Sequence, residues 1–162
     1  MSKSFKKEFI SFCENQDLEK NINQINVIIK LEEYYQINFK SFLSKLFSKK
    51  LSQKCFYLYG DVGVGKTMIL NFFFDLLDKK KLRKHFNEFM LNFHDFAHER
   101  KENSEENIIN LFVKDLKSKA SLIYFDEFQV TNIVDAMILG KLFDQIFKEN
   151  IKIIVTSNTK IT

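Results

Sequence analysis

The chain has 162 residues, 45% of them hydrophobic and 28% charged, which excludes a disordered polymer and is enough to bury a core. Net charge is +4, but the 25 Lys and Arg are spread along the chain and form no basic arm, so charge gives little support to nucleic-acid binding. The two cysteines, Cys13 and Cys55, lack CxxC or Cys/His spacing and fit a reduced, cytoplasmic protein, and no apolar run approaches the roughly 20 residues of a membrane span.

The start, MSKSFKKEFISF, is basic but has no Arg and no long apolar core, which argues against a signal or transit peptide. Leu18, Ile22, Ile25, Ile28 and Ile29 recur at helical spacing and predict an amphipathic helix within Asp17–Tyr35. A second helix is expected in NFKSFLSKLFSKK, with Phe39, Phe42, Leu43, Leu46 and Phe47 on one stripe and lysines largely off it. That stripe has two uses, packing on the core or lying at the surface of an inner membrane. Residues 1–50 are thus expected to be N-terminal amphipathic helices, and 51–162 a nucleotide-binding core.

From Lys54 the pattern becomes strand–helix alternation, the signature of an α/β domain with a mainly parallel sheet. CFYLY reads as a strand buried on both faces. Thr67–Leu82 reads as a helix with a Lys-rich end, and Phe86–Phe93 as a strand. Helices are expected over His94–Arg100, Glu105–Lys117 and Ile133–Lys148, and strands over Ser121–Asp126 and Ile151–Thr156. The KKKLRKH run, Lys79 to His85, reads as a solvated helix end, where cations are favoured.

The stretch Gly60-Asp61-Val62-Gly63-Val64-Gly65-Lys66-Thr67 fits GxxxxGK[ST], between a predicted strand and a predicted helix. Three of the chain's 4 glycines fall inside it. Glycines let backbone N–H groups approach phosphate oxygens; Lys66 adds charge at the β and γ phosphates, and Thr67 is a Mg²⁺ ligand. With Met68, these residues are the expected ATP contacts.

SLIYFDEF places two acids after four apolar residues. Asp126 is expected to hold Mg²⁺ through its water shell, and Glu127 to act as general base toward the attacking water. Asn158, at the polar end of IKIIVTSN, is the candidate to orient that water. A GTPase would want NKxD, which Asn158-Thr159-Lys160-Ile161 does not match.

LYGDVGVGKTMIL, KHFNEFMLNFHDFAH, YFDEFQVTNIVDAMILGKLF and VTSN together resemble the ZapE/AFG-type ATPases, an AAA+-like family of bacterial cell-division ATPases and mitochondrial relatives. The resemblance covers about residues 51–158. It implies a P-loop NTPase fold, ATP hydrolysis with Mg²⁺, and action on a protein partner, either the division-ring protein FtsZ or substrates of inner-membrane quality control. Gly60, Gly63, Gly65, Lys66 and Thr67 match the family's nucleotide loop, Asp126 and Glu127 its acidic pair, and Asn158 its sensor. The family string HFHEFM reads His85-Phe86-Asn87-Glu88-Phe89-Met90 here, and Asn132 stands where the family has Asp.

In HDFAH, His94 and His98 have the i,i+4 spacing of a zinc-protease helix, but Asp replaces the Glu and no third ligand is evident, so no zinc site is expected. The family's sheet places the first strand between the fourth and a fifth, and its helical lid and arginine finger follow. All three would lie beyond residue 162, so the expected core is truncated before the fifth strand and lid, and CFYLY would be an apolar edge. Three functions follow in order: an ATPase remodelling a protein partner, a non-hydrolysing nucleotide-binding fragment that pairs with a missing half, and a helicase-loader-like ATPase. Self-association stays open at this point, and no specific nucleic-acid ligand is expected.

Overall fold

A computed structural model describes residues 4–39, 52–100, 104–130 and 133–160. They form two compact units, one within Met1–Phe56 and Val62–Asp78, the other within Tyr57–Asp61 and Lys79–Thr162.

The first unit is helical: α1 (Phe5–Asn15), α2 (Ile22–Phe39) and α3 (Lys66–Leu76). The α1 helix, not foreseen above, buries Phe9 and Cys13 one turn apart. Phe9 and Phe12 meet Phe72 of α3 with ring centroids 5.0 and 5.1 Å apart. Asn21 starts α2 by accepting a hydrogen bond from Asn23 N–H at 2.9 Å, the geometry of a helix N-cap. Ile25, Ile28, Leu31 and Tyr34 then recur every three residues and are buried. Phe39 closes α2; the rest of the expected Phe39–Phe47 helix lies outside the described residues.

The second unit carries the sheet. β1 (Cys55–Tyr59) enters it from Tyr57 onward and is followed by β2 (Lys81–His85), α4 (Phe86–Arg100), α5 (Glu105–Lys119), β3 (Leu122–Asp126), α6 (Ile133–Lys148) and β4 (Lys152–Ser157). The order is β1-β4-β3-β2, with β2–β3 and β3–β4 parallel. It is the order expected for the first four strands. β3 and β4 each have a neighbour on both sides and are buried at every residue. The core joins Ile123, Phe125, Ile153 and Val155 to Phe89, Phe93, Phe112, Val113, Leu142 and Ile146 of the helices.

Four expectations are corrected. The strand is Lys81–His85, and Phe86–Phe93 is helical. Phe86, Phe89, Met90 and Phe93 stand at i, i+3, i+4 and i+7 and are all buried, which is one face of a helix. The charged run KLRKH is a strand because it lies at a sheet edge, where lysines keep other chains from pairing. Consequently α3 stops at Leu76, short of the Leu82 expected, and the Lys79–His85 run is no helix end. The other edge, β1, exposes Cys55 and Tyr59, so CFYLY is not buried on both faces. Among the described residues no helix is long and apolar enough to cross a membrane.

Candidate functional site

In the first unit, the loop that leads into α3 is shaped by two glycines. Gly63 and Gly65 have φ of 84° and 86°, in the left-handed region that side chains resist. Around Gly63 nothing lies within 4 Å of a built Cβ, so backbone geometry alone asks for glycine. At Gly65 a Cβ would also come within 2.7 Å of Gln24 Nε2. Gly65 caps α3 without a side chain, and the first turn of α3 holds no acid. The positive end of the helix therefore has no side chain competing with an anion. Lys66 is its first residue, Thr67 is exposed, and Met68 is half-buried. Val62 and Val64 are exposed.

In the second unit, three strand ends share one edge of the sheet. Gly60 N–H donates to Ser157 O at 3.3 Å, setting the residue after β1 beside the last residue of β4. Asp126 ends β3, in register with His85. Its carboxylate is buried and held from two sides: Arg83 Nη2 donates to Oδ2 at 2.6 Å, and the Thr156 hydroxyl donates to Oδ1 at 2.8 Å. Burial opposes the charge most, but these hydrogen bonds, the Tyr124 hydroxyl and the Arg83 charge together hold the carboxyl below its ordinary value. The Arg83 guanidinium also lies 5.3 Å from the Tyr124 ring centre, and burial pushes the Tyr124 phenol well above its ordinary value.

Glu127 follows with φ 53°, a left-handed turn that swings its side chain out of the sheet into solvent. Thr156 fixes this turn as well: Glu127 N–H donates to Thr156 Oγ1 at 3.2 Å, and Phe128 N–H to Thr156 O at 2.7 Å. One hydroxyl of β4 therefore holds both acids. His85 Nδ1 stands 4.0 Å from Glu127 Oε2. Asn158 is exposed one residue past β4.

Sequence reading missed Arg83 and Thr156. Arg83 was hidden in a run read as a helix end, and Thr156 in a strand end where Asn158 drew the attention. A register argument could have found Thr156, since a polar residue ending a buried strand beside an acid needs a partner.

The donor set suits Mg²⁺. Asp126 accepts from Arg83 and Thr156, with Tyr124 beside them, and a carboxylate offers about four acceptor sites, so room is left for metal-bound water. Mg²⁺ typically takes one or two carboxylates, waters and substrate phosphates. Among the described residues there is no cluster of three or more His, Cys, Asp or Glu suited to a metal, and His94 Nε2 instead lies 3.0 Å from Asp135 Oδ1.

The family model for AFG1-like ATPases matches residues 9–161. The chain is 37% identical over 121 residues to lactation elevated protein 1 homolog B of Danio rerio, covering 68% of this chain and 24% of that protein. It is 34% identical over 103 residues to the cell division protein ZapE of Escherichia coli K12, covering 63% of this chain and 27% of that protein. It thus spans about a quarter of these relatives' length. Among solved structures, the DnaC helicase loader superposes with a TM-score of 0.58 at 13% identity, covering 88% of this chain and 74% of that one, a likeness of P-loop fold.

Proposed function

This chain belongs to the AFG1-like ATPase family, and on that premise we propose that it binds Mg·ATP and hydrolyses it. One observation carries the reading: a loop with two left-handed glycines opens an uncapped helix at Lys66-Thr67, the arrangement that receives a phosphate chain.

In this reading the backbone of Gly60–Thr67 and the Lys66 ammonium bind the β and γ phosphates, and Met68 packs against the nucleotide. Thr67, directly, and Asp126, through water, would hold Mg²⁺, which when bound supplies positive charge to the phosphate oxygens as the terminal bond breaks. Arg83 and Thr156 keep the Asp126 carboxylate oriented and ionised. Glu127, turned into solvent, takes the proton of the attacking water, and Asn158 orients that water.

The testing experiment is a thermal melt with and without Mg·ATP, on the wild type and on Lys66→Ala. Ligand at 100 times its dissociation constant stabilises by about 2.7 kcal/mol, a rise of about 5–10 °C for a domain of this size. A rise that depends on Lys66 supports the reading. An equal rise in both proteins, or none in a cooperatively melting wild type, would overturn it.

We propose further that the cycle acts on a protein partner. Support comes from one relative's designation as a cell division protein. The expected outcome is ATP-dependent co-sedimentation with FtsZ polymers; co-sedimentation indifferent to nucleotide counts against it.

A further inference from the structure

We propose that Gln24 is a specificity-determining residue that selects adenine over guanine in the bound nucleotide. The proposal rests on the nucleotide-binding reading above.

Gln24 stands in the first turn of α2, 40 residues before the loop it touches. Its Nε2 donates to Val64 O at 3.1 Å. Only the amine end of a carboxamide can donate to a carbonyl, so this bond fixes which end of the group is nitrogen and which is oxygen. A Cβ on Gly65 would collide with this amide, coming 2.7 Å from Nε2 and 3.6 Å from Cδ. The bare α-carbon of Gly65 thus serves two purposes: it takes a left-handed turn and it admits Gln24.

One amide hydrogen is used at Val64. The second N–H and Oε1 make no other hydrogen bond to the described residues. The anchored amide therefore keeps a donor and an acceptor side by side in one plane. Adenine presents the complement, an acceptor at N7 and an amine at N6. Guanine presents two acceptors, N7 and O6, so Oε1 would face O6 and one pairing would be lost. The loop itself reads only phosphates, common to both nucleotides.

Room for a base lies in the same unit. Met68, whose Cε is 3.7 Å from the same built Cβ position, lines a cleft of about 580 Å³ with Phe12, Asn71 and Phe72. Its polarizable thioether suits the face of a flat ring.

The experiment measures dissociation constants of ATP, GTP and inorganic tripolyphosphate, each with Mg²⁺, for the wild type, Gln24→Ala and Gln24→Lys. Tripolyphosphate isolates the loop from the base. The wild type is expected to favour ATP over GTP by about tenfold or more, the discrimination of a bidentate amide–adenine pair. Gln24→Ala brings the ratio toward one and leaves tripolyphosphate affinity unchanged. Gln24→Lys keeps a donor for Val64 O but offers donors alone, which match N7 and O6, so it raises GTP relative to ATP. An ATP-to-GTP ratio unchanged across the three proteins would overturn the proposal. So would parallel losses of tripolyphosphate and ATP in Gln24→Ala, which would make the residue a support of the loop. A wild type that binds tripolyphosphate and both nucleotides equally sinks this inference alone; one that binds none of them sinks the nucleotide reading as well.

Discussion

Arg83 Nη2 lies 2.6 Å from Asp126 Oδ2, so a cation on an edge strand neutralises a carboxylate buried at the end of the next strand. The Asp126 side chain is 5% exposed and the Arg83 side chain 38%, and water screens the pair from one side only. Arg83→Ala is expected to lower unfolding free energy by about 1–3 kcal/mol, less than for a fully enclosed pair. Arg83→Lys should recover part of this, since an ammonium lacks the planar fork. Urea unfolding of the three proteins checks it; no loss in Arg83→Ala would refute the claim.

The same pair sets a pH dependence. The folded Asp126 carboxyl titrates below its ordinary value of 3.8, so near that pH the unfolded chain binds more protons than the folded one. Its contribution is complete above pH 3.8 and is lost as pH falls from there through the depressed folded value. Asp126→Asn should therefore flatten the acid limb of a stability–pH curve. An acid limb of the same slope in both proteins would place the dependence elsewhere.

Thr156 joins Asp126 Oδ1 and Glu127 N–H through one hydroxyl. Thr156→Val keeps the volume and leaves a buried carboxylate oxygen and a part-buried N–H short of a partner, a loss of about 1–3 kcal/mol. Thr156→Ser retains the hydroxyl and should stay near wild type. Chemical denaturation distinguishes them, and equal stability of Val and Ser variants would show that the hydroxyl contributes nothing.

Gly63 and Gly65 share a left-handed backbone but not a neighbourhood. Both Ala variants carry the strain of about 1–2 kcal/mol, and Gly65→Ala adds a collision with the Gln24 amide. Gly65→Ala should therefore melt lower than Gly63→Ala. Gln24→Ala should relieve part of the Gly65→Ala cost, visible as coupling in a double-mutant cycle. Zero coupling would deny that the two residues touch.

For turnover, Glu127→Gln is expected to retain the ATP-dependent rise in melting temperature while losing phosphate release by about a hundredfold or more. Its side chain is exposed, so stability should hardly change. Wild-type turnover in the variant would remove Glu127 from the role of base.

Long apolar helices and buried strands were legible because their periodicity is local. Ile133–Lys148 is a helix to the residue, and β3 and β4 fall within one residue of the expected bounds. The failure at Lys81–His85 has a physical source. An edge strand buries little, so its sequence carries no apolar run, while the phenylalanines that follow form a helix face that in a short window resembles a strand.

The sequence by itself determined the glycine loop ahead of Lys66, because positive φ is a local demand that only glycine meets easily, and the acidic pair, because an apolar run ending in two carboxylates needs no partner to be seen. Tertiary structure decided what holds them. Arg83 reaches Asp126 across 43 residues, Thr156 across 30, and Gln24 reaches Val64 across 40. No local pattern encodes such contacts; parallel strand register and helix packing create them, by setting side chains from distant segments against the same few polar atoms.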